Sequence, residues 1–219
     1  RRYVKLIAML GFPYASILVF SAYGPVLNQI VGIRQSAIMS TVFLTVLAVA
    51  MIPPPGSILR KLPYPAVLHT LTVLSIGLIA PFAYWTPLVR WISLVVFGVT
   101  LGRIASAWSR VFLATVPYEQ RGRVIGLALA LSYGILYLFN ATCSLLPAEF
   151  LPLGTAMLIG LTLPFFQPIP YRLDFLITWS RPLVSPKGLL LLVVILMIYI
   201  LAGFTYTGMY PVFLEYGTV

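Results

Sequence analysis

Apolar runs long enough to cross a bilayer recur along this chain, and that recurrence restricts its possible folds more than any other feature. Hydrocarbon offers no water to pair backbone N–H and C=O groups, so only helices and closed barrels can span it. The runs fall at residues 6–27, 37–52, 66–85, 89–116, 124–146, 151–166 and 188–214. They show no period-two alternation and exceed strand length, which predicts helices. Charged residues make up 8% of the chain, against about 25% in a soluble domain. The expected fold is all-α: a polytopic transmembrane helical bundle of about seven helices, with the lipid bilayer as its main partner.

Proline and glycine mark the joints. Pro53 to Gly56 closes the second run, Trp85 to Pro87 turns between the third and fourth, and a polar-tinged connector fills 167–187. Pro13 and Pro25 fall inside the first run, which membrane helices tolerate when neighbours re-satisfy the backbone. The basic residues then sort by side. Arg1, Arg2, Lys5, Arg60, Lys61, Arg121, Arg123, Arg172, Arg181 and Lys187 fall on one side, and only Arg34 and Arg90 on the other. That asymmetry predicts a cytoplasmic N-terminus. The same scatter argues against direct nucleic-acid binding by this segment, which needs a concentrated basic face, although the net charge is +10. One cysteine, Cys143, and one histidine, His69, supply neither a disulfide nor a metal-ligand set. No cofactor is expected. The first run is too long for a cleavable signal, and the chain reads as part of a longer protein.

Arg103 lies near the middle of the fourth run. Insertion scales put a midplane arginine at roughly 2.5–3.5 kcal/mol, so it is expected to face water, protein or ligand. Ser106 and Arg110 share its helical face through i+3 and i+7 spacing. The four carboxylates, Glu119, Glu149, Asp174 and Glu215, fall in connectors or at run ends. The remaining counterparts are neutral acceptors, an acid from elsewhere, or an anionic ligand. Arg110 lies nearer the run's end and can snorkel.

Polar stripes mark other runs. Tyr133, Tyr137, Asn140 and Ser144 recur on one face of the fifth, Tyr14, Ser21 and Asn28 on the first, and Tyr199, Tyr206 and Tyr210 on the seventh. Polar stripes on apolar helices are expected to face a cavity or a partner helix. Tyrosines near run ends, Tyr210 and Tyr14 among them, also suit interfacial anchoring.

The junction of the fourth and fifth runs reads VPYEQRGRVIGLALALSYG, with Pro117, Arg121, Gly122 and Gly126 in a P-x-x-x-R-G-x-x-x-G pattern. This resembles the major facilitator superfamily, in which a similar motif falls between the fourth and fifth helices. The resemblance covers all the runs in layout but only about ten residues in motif. It implies twelve helices in two halves, each half an inverted 3+3 repeat. Residues 1–166 would be the N-terminal six-helix half, 167–187 a cytoplasmic connector, and 188–219 the seventh helix, beginning a C-terminal half not included in this sequence. Two positions depart from the family. GSILRKLPYP carries Arg60 where the family's second loop often has aspartate, and Leu94 stands where the fourth helix often has arginine.

The resemblance also implies a central cavity lined by helices one, four and seven, with the fifth beside it. The candidate substrate-binding residues are Arg103, Ser106, Tyr133, Tyr137, Asn140, Tyr206 and Ser21. The expected function is secondary transport of a small polar or anionic solute by alternating access, in the plasma membrane. The alternative is a facilitator-like sensor whose DNA-binding domain lies outside this segment. A seven-helix receptor fits less well, because its N-terminus lies outside. No enzyme is expected, since no serine–histidine, metal or paired-carboxylate set falls at one depth.

Overall fold

The computed structural model describes residues 3–21, 24–51, 64–143 and 145–165, and all regular structure there is helical. The elements are α1 (Val4–Phe20), α2 (Pro25–Val31), α3 (Ile33–Met51), α4 (Tyr64–Ile79), α5 (Pro87–Thr115), α6 (Tyr118–Thr142) and α7 (Leu151–Gly160). Short 3₁₀ turns at Phe82–Tyr84, Ala148–Phe150 and Leu163–Phe165 complete the list. Four segments are long and apolar enough to cross a membrane: Val4–Val31, Ile33–Met51, Pro87–Leu113 and Tyr118–Thr142. This is the build of a helical membrane protein. The third and sixth expected spans contain shorter apolar helices, Leu68–Ile79 and Ala148–Gly160. The connector 167–187, the seventh run and the loop carrying Arg60 lie outside the described residues.

The first span is broken where the sequence suggested one continuous run. α1 ends at Phe20 and α2 starts at Pro25. Pro25 occupies the first helical turn, where its missing N–H breaks no hydrogen bond. A Cβ on Gly24 would stand 1.9 Å from the Val19 carbonyl oxygen, so only glycine permits this break. Gly32, at φ 79°, then links α2 to α3 in a conformation that side chains disfavour. Asn28 ties the joint together: its Oδ1 accepts from the Ser36 hydroxyl, and its Nδ2 donates to the Gly24 carbonyl at 3.4 Å.

Glycines set the two closest helix pairings. Gly98 and Gly102 of α5 face α3, where a Cβ would come within 3.2 Å of the Phe43 oxygen and 2.5 Å of the Leu47 oxygen respectively. Small residues let backbones approach where no hydrophobic drive exists between helices in lipid. Both contacts advance together, so α3 and α5 run parallel. Gly11 of α1 sits in the same way against Leu131 and the Ala128 carbonyl of α6. Ser132 Oγ lies 2.9 Å from the Gly11 oxygen and 2.7 Å from the Ala128 oxygen, placing one hydroxyl proton between the two helices. Tyr14 meets Tyr133 further along, so α1 and α6 are also parallel.

Phe20 is central to the core. Its ring makes edge contacts with Phe43, Phe82 and Phe97 at 5.5, 5.2 and 5.0 Å, while Phe43 stacks on Phe97 at 5.3 Å. At one end, α2 and the turns Phe82–Tyr84 and Ala148–Phe150 come together. At the other, Leu6, Phe112, Val116 and Val124 form a second cluster. Two arginines fasten these ends. Arg90 donates to the Phe82 and Ala83 carbonyls at 3.3 and 2.6 Å. Arg121 donates to Leu113 and Val116 at 3.0 and 3.1 Å, capping the carboxyl end of α5, and lies 5.8 Å from the Tyr118 ring.

With α1 and α2 counted as segment one, and α3 to α7 as segments two to six, the segment contacts are 1–2, 1–5, 2–4, 3–4, 1–6, 3–6 and 1–4. Exchanging segments one, two and three for four, five and six turns 1–5 into 4–2 and 3–4 into 6–1, and leaves 1–4 and 3–6 in place. The 1–2 pair has no 4–5 counterpart, so the twofold pattern is partial.

Candidate functional site: a polar level shared by three helices

Leu6, Val124, Phe112 and Val116 join α1, α6 and α5 at one level. Measured from it at ~1.5 Å per residue, Ser106 and Tyr14 stand about 12 Å along, Tyr133 about 14 Å, Arg103 about 16 Å and Tyr137 about 20 Å. Arg103 thus falls between Tyr133 and Tyr137 in depth. Asn140 follows one turn beyond, at about 24 Å.

Their faces follow from packing. α5 presents Gly98 and Gly102 to α3, and leaves Leu88, Ile92, Val95, Val99 and Leu113 exposed. Arg103 and Ser106 sit on that open stripe and are half-buried. The row Arg103, Ala107, Val111 turns about 40° per step, and Val111 reaches the cluster shared with Ile7 and Leu10 of α1. Arg103 therefore lies between the exposed stripe of α5 and the row that reaches α1 at Val111, about 80° round from the latter. α6 buries only Val124, Ala128 and Ser132 fully, and that row faces α1. Tyr133, Tyr137 and Asn140 fall on its exposed side together with Gly122 and Gly126.

Tyr133 turns back to meet Tyr14 edge-on, with ring centroids 6.5 Å apart and planes at 72°. It remains 53% exposed and Tyr137 is 77% exposed, so neither ring is enclosed by the helices around it. Asn140 is exposed, and its carbonyl accepts from the Cys143 thiol at 3.0 Å. Ser21 is not on an open face: it is 1% exposed and donates to the Leu18 carbonyl at 3.1 Å. Tyr206, Ser144 and the Arg110 side chain lie outside the described residues.

Arg103, Ser106, Tyr133 and Tyr137 thus fall within about 8 Å of one another in depth. Tyr14 belongs with them through its ring contact. Ser132 was not singled out by sequence, yet it bridges α1 to α6. Its signal was the row Val124, Ala128, Ser132 at four-residue spacing, one position off the tyrosine stripe. Chemically, the level offers a five-donor guanidinium, a hydroxyl and phenol rings with polar tips. Glu119 and Glu149, the two carboxylates among the described residues, lie at opposite ends of the unit. No group of histidine, cysteine or carboxylate side chains among the described residues could hold a metal ion.

No family model, curated protein or solved structure matches the chain.

Proposed function

We propose that this chain is the N-terminal half, with the seventh helix, of a facilitator-type secondary transporter of the plasma membrane. It binds a small polar or anionic solute at the level of Arg103 and exposes the site alternately by rocking against a second half. The observation that carries this reading is the placement of Arg103, Ser106, Tyr14, Tyr133 and Tyr137 within about 8 Å of depth on incompletely covered faces of α1, α5 and α6, with Tyr14 and Tyr133 in contact. Lipid is a poor neighbour for that set, and a solute-filled interior a good one.

The partial twofold pairing of the described helices supports it, since inverted repeats around a midplane site are the usual build of such carriers. The distribution of cations supports an alternating, N-terminus-inside layout of seven spans. Lys5, Arg121 and Arg123 gather with the N-terminal cluster, Arg34 and Arg90 with the opposite end. Charge-assisted hydrogen bonds from Arg103 select the anionic group, and the tyrosines give flat walls with hydroxyl tips. No carboxylate on the described helices lies at this depth, so a proton-carrying acid, if coupling uses one, belongs to the second half.

The test is uptake by the full-length protein. Arg103→Ala is expected to abolish uptake of an anionic solute at normal surface expression. Undiminished uptake removes Arg103 from the site. Solute-dependent thermal stabilisation without any uptake would favour the sensor instead, because a ligand of the native state stabilises it whether or not it is moved.

A further inference from the structure

α1 passes between two packed regions. Leu6 belongs to the end cluster with Phe112, Val116 and Val124, and Ile7 packs against it. Ala15, Ile17, Val19 and Phe20 belong to the main core. The turn between them, residues 9–13, lacks one backbone hydrogen bond: Pro13 lies inside the helix and has no N–H to donate to the Met9 carbonyl. Gly11 adds backbone freedom within the same turn. Sharp bends in helices occur at proline.

One side chain of α6 holds this turn. Ser132 is fully buried, and its Oγ lies 2.9 Å from the Gly11 oxygen and 2.7 Å from the Ala128 oxygen. The helices approach closely there, since a Cβ on Gly11 would come within 3.3 Å of the Ala128 oxygen. A serine hydroxyl carries one proton, so it donates to one carbonyl at a time. Donation to Ala128 is the ordinary back-bond of a helical serine. The hydroxyl is therefore paired whether or not Gly11 is within reach, and neither arrangement carries the cost of a buried unpaired donor. Two arrangements of nearly equal satisfaction are what a bistable element needs.

We propose that residues 9–13 form a hinge in α1 and that Ser132 is its latch. The hydroxyl donates to the Gly11 carbonyl when α1 lies along α6, and to the Ala128 carbonyl when residues 4–10 bend away. Tyr14 follows Pro13 and belongs to the half anchored in the core, so its contact with Tyr133 lies on the side that stays. The latch is independent of any solute at the tyrosines.

The test is hydrogen exchange of the purified full-length protein without solute, resolved by residue through electron-transfer fragmentation. The N–H groups of Tyr14, Ala15 and Ser16 close the helix across the hinge, and those of Leu18, Val19 and Phe20 lie in the core half. Ser132→Ala removes the latch with little change of volume. It is expected to speed exchange of the first set about tenfold, the factor of one net hydrogen bond, and to leave the second set unchanged. Pro13→Ala restores the missing N–H. By itself it should slow the first set below wild type, and combined with Ser132→Ala it should cancel the acceleration. Equal acceleration of both sets in Ser132→Ala would reduce Ser132 to general packing and overturn the proposal. So would unchanged exchange of the first set in Ser132→Ala, or an acceleration that Pro13→Ala does not suppress.

Discussion

Arg103 and Arg121 are both arginines on or beside α5, yet their settings give them different work. Arg121 caps two α5 carbonyls from the start of α6. It is only partly buried, so its removal should cost about 1 kcal/mol, below the range for a buried charged donor. Arg121→Ala is expected to lower the melting temperature of the detergent-solubilised protein by a few degrees without changing solute affinity. Arg103 has no such helix-end role in its position and is proposed to act on the solute. Arg103→Lys keeps the charge but loses the planar fork, so binding should weaken by roughly tenfold or more while stability holds. An isothermal titration with the transported anion checks this. The charge at mid-run was legible from the residues alone, because a lone cation among apolar neighbours has few acceptable environments. The roles of Arg90 and Arg121 were not: their carbonyl partners depend on how the chain turns at Phe82–Tyr84 and at Pro117.

At the scale of elements, glycine spacing separates packing from exposure. Gly102 of α5 has backbone of α3 where a Cβ would go, whereas Gly122 and Gly126 of α6 have nothing within 4 Å. Gly102→Ala should therefore destabilise by roughly 1–3 kcal/mol through overpacking. Gly126→Ala should leave stability unchanged or raise it by up to about 1 kcal/mol through helix propensity. Thermal unfolding of the two variants side by side measures the contrast. The outcome would also separate two meanings of one sequence pattern, since both helices carry glycines four apart. Helix existence was legible from apolar run length. The break at Ser21–Pro25 was not, because Pro25 alone is compatible with a kinked helix, and Gly24 acquires its meaning only from the Val19 carbonyl. Ser21 shows the same limit: heptad spacing placed it on the Tyr14 stripe, and packing near the break buried it.

For the described part of the molecule, the layout of the helices follows from which of them present small residues to which. Two parallel pairs, α1 with α6 and α3 with α5, correspond under the partial twofold pattern, and α4 and α7 pack together. This arrangement leaves α6 the least covered of the long helices, with its polar stripe open and Arg103 at a matching depth on α5. Sequence periodicity identified the stripes individually. Their common level could not be read from spacing, since it depends on the register that the Leu6, Phe112, Val116 and Val124 cluster imposes. The central claim is that this level faces an aqueous or solute-filled interior, while the Leu127 side of α6 faces lipid. Single cysteines at Ser106, Tyr133, Tyr137, Leu127 and Leu138 in a full-length Cys143→Ser background, labelled with a membrane-impermeant thiol reagent, test it directly. The account predicts rapid labelling at Ser106→Cys, Tyr133→Cys and Tyr137→Cys, slowed by solute, with little at Leu127→Cys and Leu138→Cys. Labelling confined to the two leucine positions, with the tyrosine positions inert, would contradict it.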